Sequence, residues 1–208
     1  MEAATFQLAV EGDVDEQVAR GVCAAAGVEV GSVFGKTGKA DILKRLRGFN
    51  GAAAKWPWLV VVDLDRDAAC APSFVKDVLP RPAEFMCFRV AVRAVEAWLM
   101  ADRERFSAFM GVAESRLPRH PDEEADAKAC VISLLERSSR KDVVRDMRPR
   151  PESGRKVGPA YSSRLMEFVR TRWRATEAER SSPSLARCLA SLRRVSARWR
   201  SRGPSPRV

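Results

Sequence analysis

The sequence predicts an α/β protein in which a parallel sheet of about four strands is flanked by helices and followed by a basic, helical C-terminal extension. In the first half of the chain, short apolar runs alternate with helical patterns, which is typical of βαβ units. In the second half the pattern changes to helices joined by proline-containing loops. We therefore assign an α/β domain to residues 1–110, a helical extension packed on it to residues 111–200, and a frayed tail to residues 201–208.

The predicted strands are apolar runs bounded by glycine, proline or acidic residues. The third strand opens after Trp56-Pro57 and continues without a polar residue to Val62, as expected of a strand covered on both faces. The strands are placed at residues 4–10, 28–34, 58–62 and 85–92.

The predicted helices have apolar residues at helical spacing. The first helix follows Glu11-Gly12, carries acidic residues in its first turn and stops before Gly27. A single helix over residues 94–110 is predicted after the fourth strand. The other helices are predicted around Ile42, Leu43 and Leu46, around Phe74, Val75 and Val78, and at residues 123–137, 139–146, 162–173 and 183–200.

The composition limits the available chemistry to carboxylates, lysines and arginines. His120 is the only histidine and the five cysteines form no CxxC pair, so zinc knuckles and Ser-His-Asp or Cys-His catalysis lack their residues. Scattered cysteines indicate reduced thiols and a cytoplasmic protein. We expect no membrane contact, because the longest apolar stretch is far shorter than the ~20 residues of a membrane span. No secretory signal is expected either.

The positive charge lies in the second half of the chain. Residues 137–208 contain 20 Lys and Arg against 6 Asp and Glu, a net charge of +14, whereas residues 1–136 contain 17 against 21, a net charge of −4. This asymmetry favours a nucleic acid, DNA or RNA, as partner. The alternative is a general preference for arginine, since the chain has 29 Arg and 8 Lys.

Acidic residues follow two of the predicted strands where those strands end. Glu11 follows the first strand, and Asp63 and Asp65 follow the third. Because the carboxyl ends of parallel strands meet at one edge of the sheet, we expect these carboxylates to converge there. Converging oxygen ligands suit Mg²⁺. The alternative interpretation of an Asp-x-Asp sequence is a solvated turn or a helix cap.

Glu96 is the candidate for a fourth acid at this edge, because it begins the helix after the fourth strand. The alternative interpretation makes it a capping acid or a partner of Arg89 or Arg93.

Lysines and arginines in two loops are candidate phosphate contacts. Lys36 and Lys39 lie in a glycine-containing loop between a strand and a helix, a context that favours anion binding. The alternative is an ordinary solvated turn. This loop is one residue too short for a Walker A sequence, which disfavours a nucleotide-binding enzyme. The basic Gly/Pro-rich loop at residues 148–159 contributes Arg148, Arg155 and Lys156, either as a flexible crossover or as a lid that touches substrate.

The order strand, Glu11-Gly12, helix, strand, helix, strand, Asp63-Leu64-Asp65 resembles the Toprim superfamily over residues 4–100. That superfamily includes topoisomerases, bacterial primases, nucleases of the OLD group and small 5S-RNA maturases. The runs at residues 89–102, 157–161 and 182–187 resemble a small bacterial family of Toprim-related proteins found near ATPases in mobile or defence loci.

The Toprim resemblance implies a nuclease or phosphodiesterase that uses Mg²⁺ or Mn²⁺. Glu11, Asp63 and Asp65 would be the catalytic residues, and with Glu96 they would hold the metal. Asp67 replaces the glycine that often follows Asp-x-Asp in this superfamily. This departure keeps open a non-catalytic module that binds nucleic acid or a partner ATPase. Formation of a homo-oligomer is left open.

Overall fold

The computed structural model of the protein describes residues 3–202, so residues 203–208 of the predicted tail lie outside the described residues. Four strands form one parallel sheet in the order β2-β1-β3-β4. The strands are β1 (Thr5–Val10), β2 (Glu29–Gly35), β3 (Trp58–Asp63) and β4 (Met86–Ala91). The predicted α/β class with a four-stranded parallel sheet is confirmed.

Three helices connect the strands, and the others follow the sheet. The connecting helices are α1 (Asp13–Ala25), α2 (Lys39–Ala52) and α3 (Ala71–Val78). The later helices are α4 (Val95–Ala101), α5 (Arg103–Met110), α6 (Ala127–Leu134), α7 (Lys141–Met147), α8 (Tyr161–Thr171), α9 (Ala175–Ala178) and α10 (Pro183–Ser201). Within residues 3–202, no helix is long and apolar enough to cross a membrane.

The sheet is covered on both faces, which explains the uninterrupted apolar sequence of β3. Leu59 and Val61 belong to the core on one face, with α1, α4, α8 and α10. Val60 and Val62 belong to the core on the other face, with α2 and α3. Alternate side chains of a strand point to opposite faces, so every residue of a doubly covered strand is apolar.

One apolar core runs through both halves of the sequence. Helix α10 packs on β4 and α8 packs on α1. Trp98 of α4 is completely buried between these elements. Its indole N–H donates to Ser184 Oγ of α10 at 2.6 Å, and the indole N–H of Trp173 donates to the Trp98 carbonyl at 3.2 Å. The second half of the chain thereby packs against the sheet that carries the acidic residues.

The single helix predicted over residues 94–110 is wrong, because the chain breaks at Asp102 into α4 and α5. Asp102 has non-helical dihedral angles, φ −81° and ψ 69°. Its side chain is buried and accepts hydrogen bonds from Arg174, from the main-chain N–H at 2.9 Å and from a terminal guanidinium nitrogen at 2.7 Å. This contact spans 72 residues of sequence and is therefore absent from any local pattern.

The helix predicted at residues 123–137 is also shorter than expected. It begins after Asp126, whose carboxylate accepts a hydrogen bond from the Ala129 N–H at 2.9 Å and so caps α6. It ends in a 3₁₀ turn at Leu135–Arg137. Helix α9 was not predicted.

We expect Asp102→Ala to lower the free energy of unfolding by about 2 kcal/mol, because the substitution leaves the partly buried main-chain N–H of Arg174 without its acceptor. The control is Glu104→Ala. Glu104 contacts the same Arg174 at 2.8 Å, but its side chain is 71% exposed. Exposed ion pairs contribute at most about 1 kcal/mol. Urea denaturation measures both variants, and equal losses would contradict a structural role of the buried pair.

Candidate functional site

The candidate site lies at the carboxyl edge of the sheet, between β1 and β3. Within the sheet, β2 is the neighbour of β1 on one side and β3 is its neighbour on the other side. The crevice between β1 and β3 is therefore the topological switch point, where open parallel sheets bind ligands. Glu11 directly follows β1 and Asp63 ends β3, so the sheet order places both acids at this crevice.

Two hydrogen bonds join these acids to each other and to α4. The Asp63 N–H donates to Glu11 Oε1 at 2.7 Å. The Val95 N–H, at the start of α4, donates to Asp63 Oδ1 at 3.0 Å. Glu11 thus links the ends of β1 and β3, and Asp63 links β3 to α4. The next residue of α4 is Glu96, which enters the site because its helix starts here.

Two further carboxylates, those of Glu96 and Asp15, each have a buried oxygen without a hydrogen-bond partner among the described residues. These atoms are Glu96 Oε2 and Asp15 Oδ1. Glu96 is 2% exposed, and its other oxygen accepts a hydrogen bond from the Tyr161 hydroxyl at 3.2 Å. Buried acceptors of this kind are uncommon in proteins, since each loses its hydration without compensation.

Arg89 and Arg93, the alternative partners of Glu96, form hydrogen bonds with other residues. Arg89 donates to Ser191 Oγ at 2.8 Å, and Arg93 donates to the carbonyls of Asp65 and Ala68, both at 3.1 Å. The partner of the Glu96 carboxylate is therefore Tyr161 and not an arginine.

Burial and mutual repulsion raise the pKa values of these acids. Burial raises the pKa of Asp63 well above its ordinary value, and the charges of Asp15, Glu96 and Glu11 raise it further. Burial and the Glu11 charge raise the pKa of Asp15 to about 7. Burial also raises the pKa of Glu11 and of Glu96. Asp63 is therefore the acid on which the charges of the other three act together.

Lys128, near the start of α6, provides the positive charge that faces this cluster. Burial lowers the pKa of Lys128, but attraction to Glu96, Asp63 and Asp15 outweighs that effect and raises it. The same lysine lowers the pKa of each of these acids.

A cleft of about 870 Å³ lies beside the acids and carries mixed charge. It is lined by residues from the loop after β3, from the segment after β4, from α6 and from the basic loop. Asp65, Arg93, Lys128 and Lys156 line it, whereas Arg148 and Arg155 do not. Of the three predicted phosphate contacts in the basic loop, only Lys156 therefore lies at the cleft.

The lysines of the glycine-containing loop are paired with carboxylates of the chain. Lys36 Nζ contacts Glu16 and lies 3.1 Å from Asp13. Lys39 Nζ lies 2.5 Å from Asp65 and 2.9 Å from Asp67. The charge of each lysine is therefore paired within the chain, and contact of Lys36 and Lys39 with phosphate stays a prediction.

The main chain of this loop supports Glu11 instead of forming an anion nest. The N–H groups of Lys36 and Gly38 donate to the carbonyls of Val10 and Glu11, at 2.9 Å and 3.0 Å. Gly35 has a φ of +92°, and a side chain there would collide with the Val10 carbonyl, so glycine is required for this close approach. The loop fixes the end of β1 and offers these donors to no ligand.

Sequence patterns missed Asp15, Lys128 and Tyr161. Asp15 had a signal, because it lies four residues after Glu11 in the first turn of a helix that starts at the same sheet edge. Lys128 and Tyr161 had none, since they reach the site from the helical second half through tertiary packing alone.

The carboxylate oxygens of the site are ligands of the kind that divalent cations prefer, but they do not surround a common point. Within residues 3–202, no three His, Cys, Asp or Glu side chains are placed so that they hold a metal ion together. Glu11 and Asp63 each use one oxygen for a main-chain N–H, and Asp65 is bound to Lys39. The unpartnered oxygens of Glu96 and Asp15 are hard ligands of the kind that Mg²⁺ prefers.

Comparison of the chain with protein-family models, with curated proteins and with solved structures gave no match.

We expect the protein to lose stability as the pH rises from about 4.5 to 8 in the presence of a chelator. A carboxyl group whose pKa is raised by folding contributes stability that is present below its unfolded pKa and is lost as the pH rises through its folded pKa. For Asp15 this window extends from 3.8 to about 7. The loss should be on the order of 2 kcal/mol, and Asp15→Asn should flatten the slope.

Chemical denaturation at several pH values measures this slope with little interference, since the chain has one histidine. Stability that rises between pH 4.5 and 8, or a slope that Asp15→Asn leaves unchanged, would contradict the assignment.

Proposed function

We propose that the protein is a Mg²⁺- or Mn²⁺-dependent nuclease or phosphodiesterase of the Toprim type, acting on DNA or RNA in defence against phage or mobile elements. The observation that supports this proposal is the group of carboxylates at the switch point of the sheet, two of which have a buried oxygen without a partner. The accumulation of these carboxylates opposes folding, because like charges repel and burial disfavours their ionised forms. A ligand that neutralises them explains their presence.

The metal would be held by Glu11, Asp63 and Glu96, with Asp65 joining after it separates from Lys39. A bound divalent cation supplies charge for polarising a phosphodiester and for stabilising the leaving oxygen. Asp15, which has a buried oxygen without a partner within residues 3–202, would accept a proton from the attacking water.

Lysine and arginine side chains that line the cleft would orient the phosphate backbone of the substrate. Lys128, Lys156 and Arg93 lie on its walls. Lys128 faces the acids directly, so a phosphate bound to Lys128 would lie beside these carboxylates. These contacts would recognise the charge of the phosphates and would not distinguish base sequences.

Cleavage is favoured over strand passage by the position of the only tyrosine. Tyr161 is 4% exposed, and its hydroxyl donates to Glu96. Burial and the Glu96 charge raise the pKa of Tyr161 well above its ordinary value, so this hydroxyl is a poor nucleophile for covalent attack on DNA.

We expect Asp63→Asn to lower Mg²⁺-dependent cleavage by at least about 100-fold. Asparagine keeps an oxygen that accepts the Val95 N–H, so the fold should persist. The assay follows supercoiled plasmid, single-stranded DNA and RNA with Mg²⁺ or Mn²⁺. Asp77→Asn is the matched control, because Asp77 is exposed on α3 and does not line the cleft. Equal cleavage by wild type and Asp63→Asn would rule out the assigned site.

A non-catalytic module that binds nucleic acid or a partner ATPase is the second candidate. The ion pairs of Lys39 with Asp65 and Asp67 favour it, because a lysine there already neutralises the Asp-x-Asp sequence that would hold a metal. In this case the acids organise the sheet edge and the basic half provides affinity.

Calorimetric titration with Mg²⁺ and Mn²⁺ separates the two candidates. For the enzyme we expect binding by the wild type and tighter binding by Lys39→Met, since this variant releases Asp65. Lys36→Met is the control, because Lys36 lies in the same loop but pairs with Asp13 and Glu16. Absence of binding at millimolar concentrations by both wild type and Lys39→Met would favour the non-catalytic module.

A further inference from the structure

A second concave surface, here called the β4 groove, runs along the outer edge of the sheet between α3 and α10. It has two adjoining lobes of about 410 Å³ and 320 Å³. Five residues line both lobes, and all but the arginine are apolar. They are Val75, Leu79, Pro82, Phe88 and Arg89. None of the acids of the candidate site lines either lobe.

The edge of β4 leaves main-chain groups unpaired at this groove. The carbonyls of Phe85 and Ala91 accept hydrogen bonds from the segment that contains β3. In a parallel ladder alternate residues bond to the same neighbour, so Phe88 and Val90 direct their N–H and C=O groups away from β3. Among the described residues, no main-chain partner is found for these two residues on the outer side.

A stripe of arginines on α10 forms one wall of the groove. Arg187, Arg194 and Arg198 line its lobes and are exposed. With Ser191 they recur at intervals of four, three and four residues, which places them on one face of the helix. Within residues 3–202, Glu84 is the only acid that lines the two lobes. The wall therefore presents a strongly positive surface.

Arg89 brings another positive charge to the floor of the groove without an anionic partner. One terminal nitrogen donates to Ser191 Oγ at 2.8 Å, while Nε is buried and has no acceptor among the described residues. A partly buried guanidinium with one neutral acceptor is poorly compensated for its loss of hydration. A carboxylate that enters the groove would supply the missing negative charge beside this guanidinium.

We propose that the β4 groove binds an extended acidic segment of a partner protein, which adds as a strand to the outer edge of β4. Main-chain hydrogen bonds to Phe88 and Val90 align the segment. Its carboxylates pair with Arg89, Arg194 and Arg198, and its alternate aliphatic side chains contact the apolar lining. The eleven-residue separation of Arg187 and Arg198 corresponds to about 16 Å of helix, which matches about five residues of extended chain.

The lining of the groove favours a peptide over a nucleic acid. Single-stranded nucleic acids are usually held by aromatic rings on which bases stack. Among the described residues that line the lobes, Phe88 is the only aromatic one, and a single ring offers no succession of surfaces on which bases could stack. An unpaired strand edge beside aliphatic side chains is instead complementary to a peptide.

The test uses fluorescein-labelled peptides of alternating Glu and Val, eight residues long, and fluorescence anisotropy with the full-length protein. We expect saturable binding that Arg194→Glu/Arg198→Glu weakens at least tenfold. Arg200→Glu, at the end of the same helix but outside the groove lining, should leave the affinity unchanged. Both arginines are exposed, and circular dichroism checks that the double variant is folded.

Three further measurements locate the peptide and its mode of binding. N-methylation of alternate peptide amides should abolish binding, since it removes the hydrogen bonds to β4. Hydrogen exchange should slow in the segment that contains Phe88 and Val90. Asp63→Asn should bind the peptide as tightly as the wild type does, so this proposal stands or fails independently of nuclease activity.

Several outcomes would overturn the proposal. They are the absence of binding, equal affinity for an alternating Lys and Val peptide, and binding that survives the double charge reversal. Tighter binding of an eight-residue oligothymidylate at the same arginines would make the groove a nucleic-acid surface. Self-association that sedimentation velocity detects and that the double variant abolishes would make it an interface between copies of the chain.

Discussion

The hydrogen bonds that connect Glu11, Asp63 and the start of α4 hold the candidate site together. They join the carboxyl ends of two neighbouring strands to the helix that contributes Glu96. The same helix carries Trp98, whose indole N–H bonds to α10. A rearrangement of these two carboxylates would therefore move the site and also the packing of the helical half on the sheet.

The site combines this structural role with an electrostatic conflict. The charges of Asp15, Glu96 and Glu11 all raise the pKa of Asp63, and Lys128 is the cation that faces Glu96, Asp63 and Asp15. Burial of like charges opposes folding, so the surrounding core must outweigh it. Such local conflict is typical of functional sites, where a fold retains an unfavourable arrangement because a ligand resolves it.

The arginines of the second half do not form one basic surface. Some neutralise carboxylates within the fold, such as Arg174 with Asp102 and Arg164 with Asp146. Others, including Arg194 and Arg198, line the β4 groove. Net charge alone therefore overstates the area available to a nucleic acid. The acidic site and the β4 groove lie on different parts of the molecule, and the proposed activity and the proposed partner make separate use of them.

Local patterns in the sequence were enough to predict the strands, most helices and the two acids at the switch point. Apolar periodicity and acidic residues at strand ends are short-range features, and the parallel βαβ order then brings Glu11 and Asp63 together. The break at Asp102, the ion pairs of Lys39 and the approach of Lys128 were decided only by the tertiary structure. Each depends on a partner more than 25 residues away, whose position is fixed by packing of the whole chain and leaves no local signal.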